Sequence, residues 1–250
     1  MLTPERHQLI LDLLKRKNIV KLQELVDMTN TSESTIRRDL IQLEERKQLK
    51  RIHGGAARLQ GKLQELTMME KSFKNLQQKK EIAKFAAGLI DEGDSIYLDA
   101  GSTVKEMIEF LPSENIVVVT NGLTHIHPLL ERRIPTYVIG GFAKHKTDAL
   151  VGRMALASLE EYRFDKCFIG VNGIHPELGF TTPDQEEAVI KEKAIALSRE
   201  AFVLGDQTKF SEVSFAKIAD INKATIITNE LEDDTAEMYM GKTKIKVVTI

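Results

Sequence analysis

Five short polar strings in this 250-residue sequence each follow an apolar run and hold most of the side chains that could bind or react. They are Asp99-Ala100-Gly101-Ser102-Thr103, Thr120-Asn121-Gly122, Gly140-Gly141, Gly170-Val171-Asn172-Gly173 and Asp206-Gln207-Thr208-Lys209. In the first, glycine lets backbone approach a ligand, while amides and hydroxyls converge on an anion at a helix start. Ser102 or Thr103 acting only as a helix cap is the competing reading. Repetition of small, polar and cationic residues at successive ends favours one shared crevice. A second group lies near the N-terminus: Ser34, Thr35, Arg37 and Arg38, followed by Lys50, Arg51 and His53. A guanidinium group can form a two-pronged bond to guanine, worth roughly 1–3 kcal/mol of base discrimination. Cations on a hairpin suit phosphates, which set register without reading sequence.

Those residues need elements to hold them. Thr3-Pro4 reads as a helix start, and Ile10, Leu13 and Leu14 predict a first helix to about Lys17. Leu22, Leu25 and Val26 predict a short second helix, ended by Met28-Thr29-Asn30-Thr31-Ser32. Ser32 can cap a third, whose apolar stripe Ile36, Leu40 and Leu43 turns Ser34, Thr35, Arg37 and Arg38 toward other faces. Residues 49–53 and 56–58 predict two strands around Gly54-Gly55. Three short helices and a basic hairpin make a winged helix-turn-helix suited to double-stranded DNA. The alternative is a helical bundle whose basic face serves protein contacts.

Beyond residue 79 the pattern changes. Apolar strands are expected at 95–99, 116–120, 136–139, 166–169, 201–204, 225–228 and 245–248, with helices over 82–90, 104–110 and 123–130 and another from about Asp184. Continuous apolar strands alternating with helices imply an α/β domain with a mainly parallel sheet covered on both faces. Ligands of such sheets bind beyond the carboxyl ends of the strands, where the five polar strings fall. The expected organisation is a DNA-binding domain over 1–58, a polar, partly helical linker over 59–78 and a ligand-binding domain over 79–250.

Charge agrees with this division. The chain has 35 basic and 37 acidic residues, but residues 1–60 hold 12 and 8 of these, leaving 23 and 29 for the rest. A basic module on an acidic body suggests that the module alone meets a polyanion. The single cysteine, Cys167, fits a reducing compartment. Charged residues through the first twenty positions leave no signal-peptide core, and no run approaches the ~20 apolar residues of a membrane span. A cytoplasmic protein with no membrane partner is expected.

The strings Ser32-Glu33-Ser34-Thr35-Ile36-Arg37-Arg38-Asp39-Leu40, Leu43-Glu44 and Ile52-His53-Gly54-Gly55-Ala56 resemble the signature of DeoR-type bacterial transcriptional regulators. The resemblance implies that the third helix is the recognition helix, with Ser34, Thr35, Arg37 and Arg38 on DNA and Asp39 in packing or a salt bridge. It extends over nearly the whole chain, because the second domain resembles the family's effector domain, similar in fold to ribose-5-phosphate isomerases. This implies that Gly101, Ser102 and Thr103 cradle the phosphate of a phosphorylated sugar and that Lys209 and Lys79 add positive charge. Asp99, Asn121 and Asn172 are then hydroxyl partners, and Gly140, Gly141 and Gly173 line the same site. Lys144 and His145 are either lid residues or an exposed loop. Within the family the chain resembles fructose-operon repressors of Bacillus-like bacteria, which implies fructose 1-phosphate as effector, and the family resemblance implies a homodimer or homotetramer.

An isomerase fused to a DNA-binding module is the enzymatic alternative. Moving a proton between adjacent carbons needs a positioned acid or base. The isomerases place two acids after the fourth strand, where this chain has Gly170-Val171-Asn172-Gly173-Ile174. Their lysine in the next glycine-rich turn is also missing from Gly179-Phe180-Thr181-Thr182-Pro183-Asp184. Glu186, Glu187 and Glu192 are expected on a helix surface. No cofactor or metal is expected: His125 and His127, two apart, point to different sides of a helix. The chain therefore reads as a repressor released by its ligand, with an activator of the same family as the remaining possibility.

Overall fold

The computed structural model describes residues 2–17, 19–46, 48–52, 54–58, 65–112 and 115–248. The chain divides into two compact units, residues 1–61 and 62–250.

In the first unit, α1 (Thr3–Lys17) leads into β1 (Ile19–Lys21), α2 (Leu22–Thr29) and α3 (Glu33–Glu45). The expected apolar stripes meet in one core of Ile10, Leu14, Leu25, Ile36, Leu40, Leu43 and Leu49. Asn30 ends α2 in the left-handed region at φ 50°, and the Ser32 hydroxyl accepts the Thr35 amide to cap α3. The wing is β2 (Leu49–Ile52) paired antiparallel with β3 (Gly55–Arg58). One strand was not legible in the sequence. β1 pairs with β3, giving the sheet order β1-β3-β2. Three residues are too short to show alternation.

The second unit opens with α4 (Met68–Phe73) and α5 (Leu76–Ala87). Thus residues 68–78 of the expected linker fold into this unit, and the helix expected from Ile82 starts six residues earlier. Asn75, at φ 54°, breaks the two helices, and the polar run Gln77 to Lys80 hides the periodicity. Then follow β4 (Ser95–Leu98), α6 (Ser102–Met107), β5 (Val117–Thr120), α7 (Leu123–Glu131) and β6 (Thr136–Val138). A hairpin of β7 (Phe142–Lys144) and β8 (Ala149–Val151) precedes α8 (Arg153–Glu160) and β9 (Phe164–Gly170). β10 (Gly173–His175), β11 (Gly179–Thr182), α9 (Gln185–Ala196), β12 (Ser198–Leu204) and β13 (Ala216–Ala219) come next. β14 (Thr225–Thr228), α10 (Asp233–Tyr239) and β15 (Ile245–Val247) close the chain.

All seven expected strands lie in one parallel sheet, ordered β15-β14-β12-β9-β4-β5-β6. Alternate residues feed two cores. Tyr97, Cys167, Ile169, Val203 and Ile226 join Ile190 and Ala194 of α9 on one face. Ile96, Leu98, Phe168, Phe202 and Ile227 join Ile82 of α5 and Met107 of α6 on the other. The chain runs outward from β4 through β5 to β6, then returns beside β4 as β9 and runs outward the opposite way. The carboxyl ends of β4 and β9 therefore flank the switch point of the sheet, where ligands of open α/β sheets bind. An antiparallel sheet, β10-β11-β13, follows β9 and was not expected from the sequence.

Candidate functional site

Two places in the chain bring functional side chains together, one in each unit. On α3, the Ser32 hydroxyl lies 2.9 Å from Ser34 Oγ and 2.8 Å from Thr35 Oγ1, so the polar helix start is internally ordered. Arg37 is exposed and rests on Glu33 at 2.6 Å, a surface pair that contributes little stability. Arg38 is exposed and has no ion-pair partner among the described residues. Arg51 on the wing holds Glu44 of α3 at 2.5 Å. Lys50 is placed on β2 by its backbone alone, and His53 lies outside the described residues. Asp39 points inward. It is buried, with Arg6 Nε at 2.5 Å and His7 Nε2 at 3.2 Å, so it ties α3 to α1 as a packing residue.

The second place is the switch point. Asp99 follows β4, and its Oδ2 accepts the Gly101 amide at 3.2 Å and the Gly170 amide at 3.0 Å. A Cβ on Gly101 would stand 3.1 Å from that oxygen and 3.2 Å from the Gly170 Cα, so the turn after β4 and the end of β9 pack closely and a side chain there would have to push them a few tenths of an ångström apart. Lys191 of α9 reaches both Asp99 carboxylate oxygens at 2.6 Å, and both side chains are buried. Asp99 thus anchors the floor of the crevice. Sequence reasoning missed Lys191. Its signal was the spacing of four from Glu187, which puts both on one face of α9.

Lys79 of α5 donates to Ser102 Oγ at 3.0 Å and also to the Lys71 carbonyl. Burial, and then the charge of Lys209, push the Lys79 ammonium down to about 8. Lys209, after β12, is also held below the ordinary lysine value by burial, with Lys74 and Lys71 adding repulsion against the pull of Asp206. Asp206 is itself depressed, because Lys209 and Thr208 outweigh its burial. Lys79 thus reaches buried Ser102 with Lys209 near enough to repel it, while the buried Asp206 pulls both lysines the other way.

The other expected residues divide. Asn121 is buried and bonded to backbone on both sides: its Oδ1 accepts the Ala100 amide at 3.0 Å, and its Nδ2 donates to the Leu150 carbonyl at 3.2 Å. It holds the turn after β4, with one of its two amide donors committed to backbone. Asn172 is half-buried and accepts from Thr182 Oγ1 at 3.2 Å. Gly173 is a packing glycine, since a Cβ there would lie 2.4 Å from the Glu212 carbonyl. Gly140 and Gly141 line a separate cleft of about 500 Å³ with Phe142, Gly152 and Met154, which none of the switch-point residues enters. Lys144 is no free loop residue: it binds Glu187 at 2.7 Å and Asp184 at 2.8 Å. Glu187, expected on the surface, is buried against Lys144 and Thr147, because it faces the sheet end while Glu186 and Glu192 face outward. His125 is buried, and burial holds it neutral with its pKa at about 3. Cys167 is buried, its thiol pushed up to about 12 by the same cause. Among the described residues no His, Cys, Asp and Glu group could hold a metal, and no helix is long and apolar enough to cross a membrane.

Comparison with known proteins gives matches across the chain. A DeoR-like helix-turn-helix domain model matches residues 6–62, and a DeoR C terminal sensor domain model matches residues 74–230. The chain is 54% identical over 249 residues to the "Uncharacterized HTH-type transcriptional regulator FruR" of Bacillus subtilis (strain 168), covering 99% of each. It is 34% identical over 248 residues to the lactose phosphotransferase system repressor of Staphylococcus aureus (strain NCTC 8325 / PS 47), covering 98% of each. Among solved structures, ribose 5-phosphate isomerase A from Methanocaldococcus jannaschii matches with a TM-score of 0.41 and 18% identity over 55% of each chain.

Proposed function

The chain belongs to the DeoR family of transcriptional regulators, and we propose that it represses a sugar-utilisation operon and is released from its operator by a phosphorylated sugar. It is a regulator and not an enzyme, like its relatives. In this reading α3 enters the major groove of double-stranded DNA, with Ser34, Thr35, Arg37 and Arg38 toward the bases and the wing residues Lys50, Arg51 and His53 toward phosphates. The effector phosphate sits against Gly101, Ser102 and Thr103, between Lys79 and Lys209. Asp99, Asn121 and Asn172 shape the sugar end, two of them through the backbone they hold, and Gly173 sets the turn after β9, while Gly140 and Gly141 stay with their separate cleft.

The observation that carries the effector reading is Lys79, which bonds Ser102 and whose pKa is held down to about 8 by burial and by repulsion from the nearby Lys209. A dianionic phosphate relieves that repulsion; a neutral sugar does not. The 54% identity to a regulator named FruR supports a fructose operon, with fructose 1-phosphate as the effector. A homodimer or homotetramer acting in the cytoplasm fits the limited DNA surface one winged module covers.

The test is Lys209→Ala in the full chain, with binding of fructose 1-phosphate and fructose measured by calorimetry. The loss for the phosphorylated sugar is expected to be about tenfold or more, as for a charge-assisted bond of roughly 1.5–3 kcal/mol. Equal losses for both sugars would remove the phosphate role.

A further inference from the structure

Residues 65–73 follow the DNA-binding unit in the chain and are pinned from three sides within the second unit. The Met68 amide donates to the Lys146 carbonyl at 2.9 Å, in the turn between β7 and β8. Glu65 is buried, pairs with Lys71 at 2.7 Å and lies 3.8 Å from Lys144 Nζ. Lys144 in turn binds Asp184 and Glu187 at the start of α9, the helix that sends Lys191 to Asp99. The third pin is Lys79, whose ammonium donates both to Ser102 Oγ and to the Lys71 carbonyl.

That third contact joins two tasks in one group. The last four carbonyls of a helix have no partner inside it. α4 has six residues, and Lys79 satisfies the Lys71 carbonyl near its end. An ammonium has three donors. Two are committed, one on each side, and a phosphate on the Ser102 side, unlike the neutral Lys71 carbonyl, carries charge opposite to the ammonium. An anion that draws the ammonium toward Ser102 therefore competes with the carbonyl for Lys79.

Resting on the effector reading above, we propose that residues 65–73 are a strap that reports occupancy of the phosphate site: a phosphorylated effector draws Lys79 away from the Lys71 carbonyl and loosens α4. The held strap belongs to the form that binds operator DNA, and the loosened strap to the form that releases it. The effector favours the second only by its differential affinity for the two, which is what competition at Lys79 supplies. The Glu65 to Lys144 side sets how firmly the strap is held without touching the phosphate site.

Amide hydrogen exchange on the full-length protein, with and without saturating fructose 1-phosphate, tests this. Exchange is expected to slow at residues 99–104 and to quicken at residues 69–75 by about tenfold, the scale of an ordinary coupling free energy. Protection at 99–104 with unchanged exchange at 69–75 overturns the strap while leaving the effector site standing. Protection at neither place overturns the effector reading and the strap with it. Glu65→Gln gives a second arm: with the strap loosened beforehand, operator affinity falls in the absence of effector, fructose 1-phosphate binds no more weakly, and the effector-dependent change in operator affinity shrinks by about tenfold. A folded Glu65→Gln protein with a normal response overturns the proposal. Exchange on the unsubstituted protein decides it if that variant does not fold.

Discussion

Asp99 sits where a ligand-binding carboxylate is expected, but its four short contacts, two to Lys191 and two to backbone amides, commit it to the protein. Burying two charges costs more than one contact returns unless the remaining lone pairs are filled, as the Gly101 and Gly170 amides fill them here. Removing one partner leaves the other charged in a dry site. Lys191→Met is therefore expected to destabilise the second unit by roughly 3–5 kcal/mol, and Asp99→Asn/Lys191→Met by less than the single change. Denaturant unfolding checks both. A loss below about 1 kcal/mol in the single variant would place the pair with ordinary surface bridges. The same reasoning separates Lys79 from Lys191: Lys79 bonds a neutral hydroxyl and a carbonyl and is repelled by Lys209, whereas Lys191 is paired directly with a carboxylate.

At the scale of elements, the short wing depends on one small residue. A Cβ on Gly55 would lie 2.2 Å from the Val20 carbonyl, so β1 packs flush against β3 only because Gly55 has no side chain. Gly55→Ala is expected to detach β1, cost roughly 1–3 kcal/mol as an overpacked site does, and weaken operator binding while leaving fructose 1-phosphate binding intact. Gel shift and calorimetry measure the two; an unchanged operator affinity would show that β1 does not support the wing. The apolar helices α1 and α3 and all seven parallel strands were legible because their buried residues recur at 3.6 or run continuously. β1, β7, β8 and β10 have only three residues each, too few for a period to show. Glu187 and Lys191 were hidden for another reason: α9 buries charged residues on one face and Ile190 and Ala194 on its other inner positions, which blurs its amphipathic pattern. Asn121, Gly101 and Ser102 were legible as a cluster, but sequence cannot tell a group that meets a ligand from one that holds the turn beside it.

The whole molecule joins a DNA-binding unit to a sensor unit, with the basic excess in the first and the acidic excess in the second. That asymmetry favours attraction of a polyanion to the first unit and disfavours it at the second. Regulation then needs only that the ligand prefer one state of the sensor unit, since a ligand binding both states equally shifts nothing. The most direct test is a gel shift of the full-length protein on the DNA upstream of its own gene, with and without fructose 1-phosphate. A specific complex whose affinity falls by about tenfold or more with the phosphorylated sugar, and is unchanged by fructose, is the expected result. An affinity that is identical with and without fructose 1-phosphate contradicts the account.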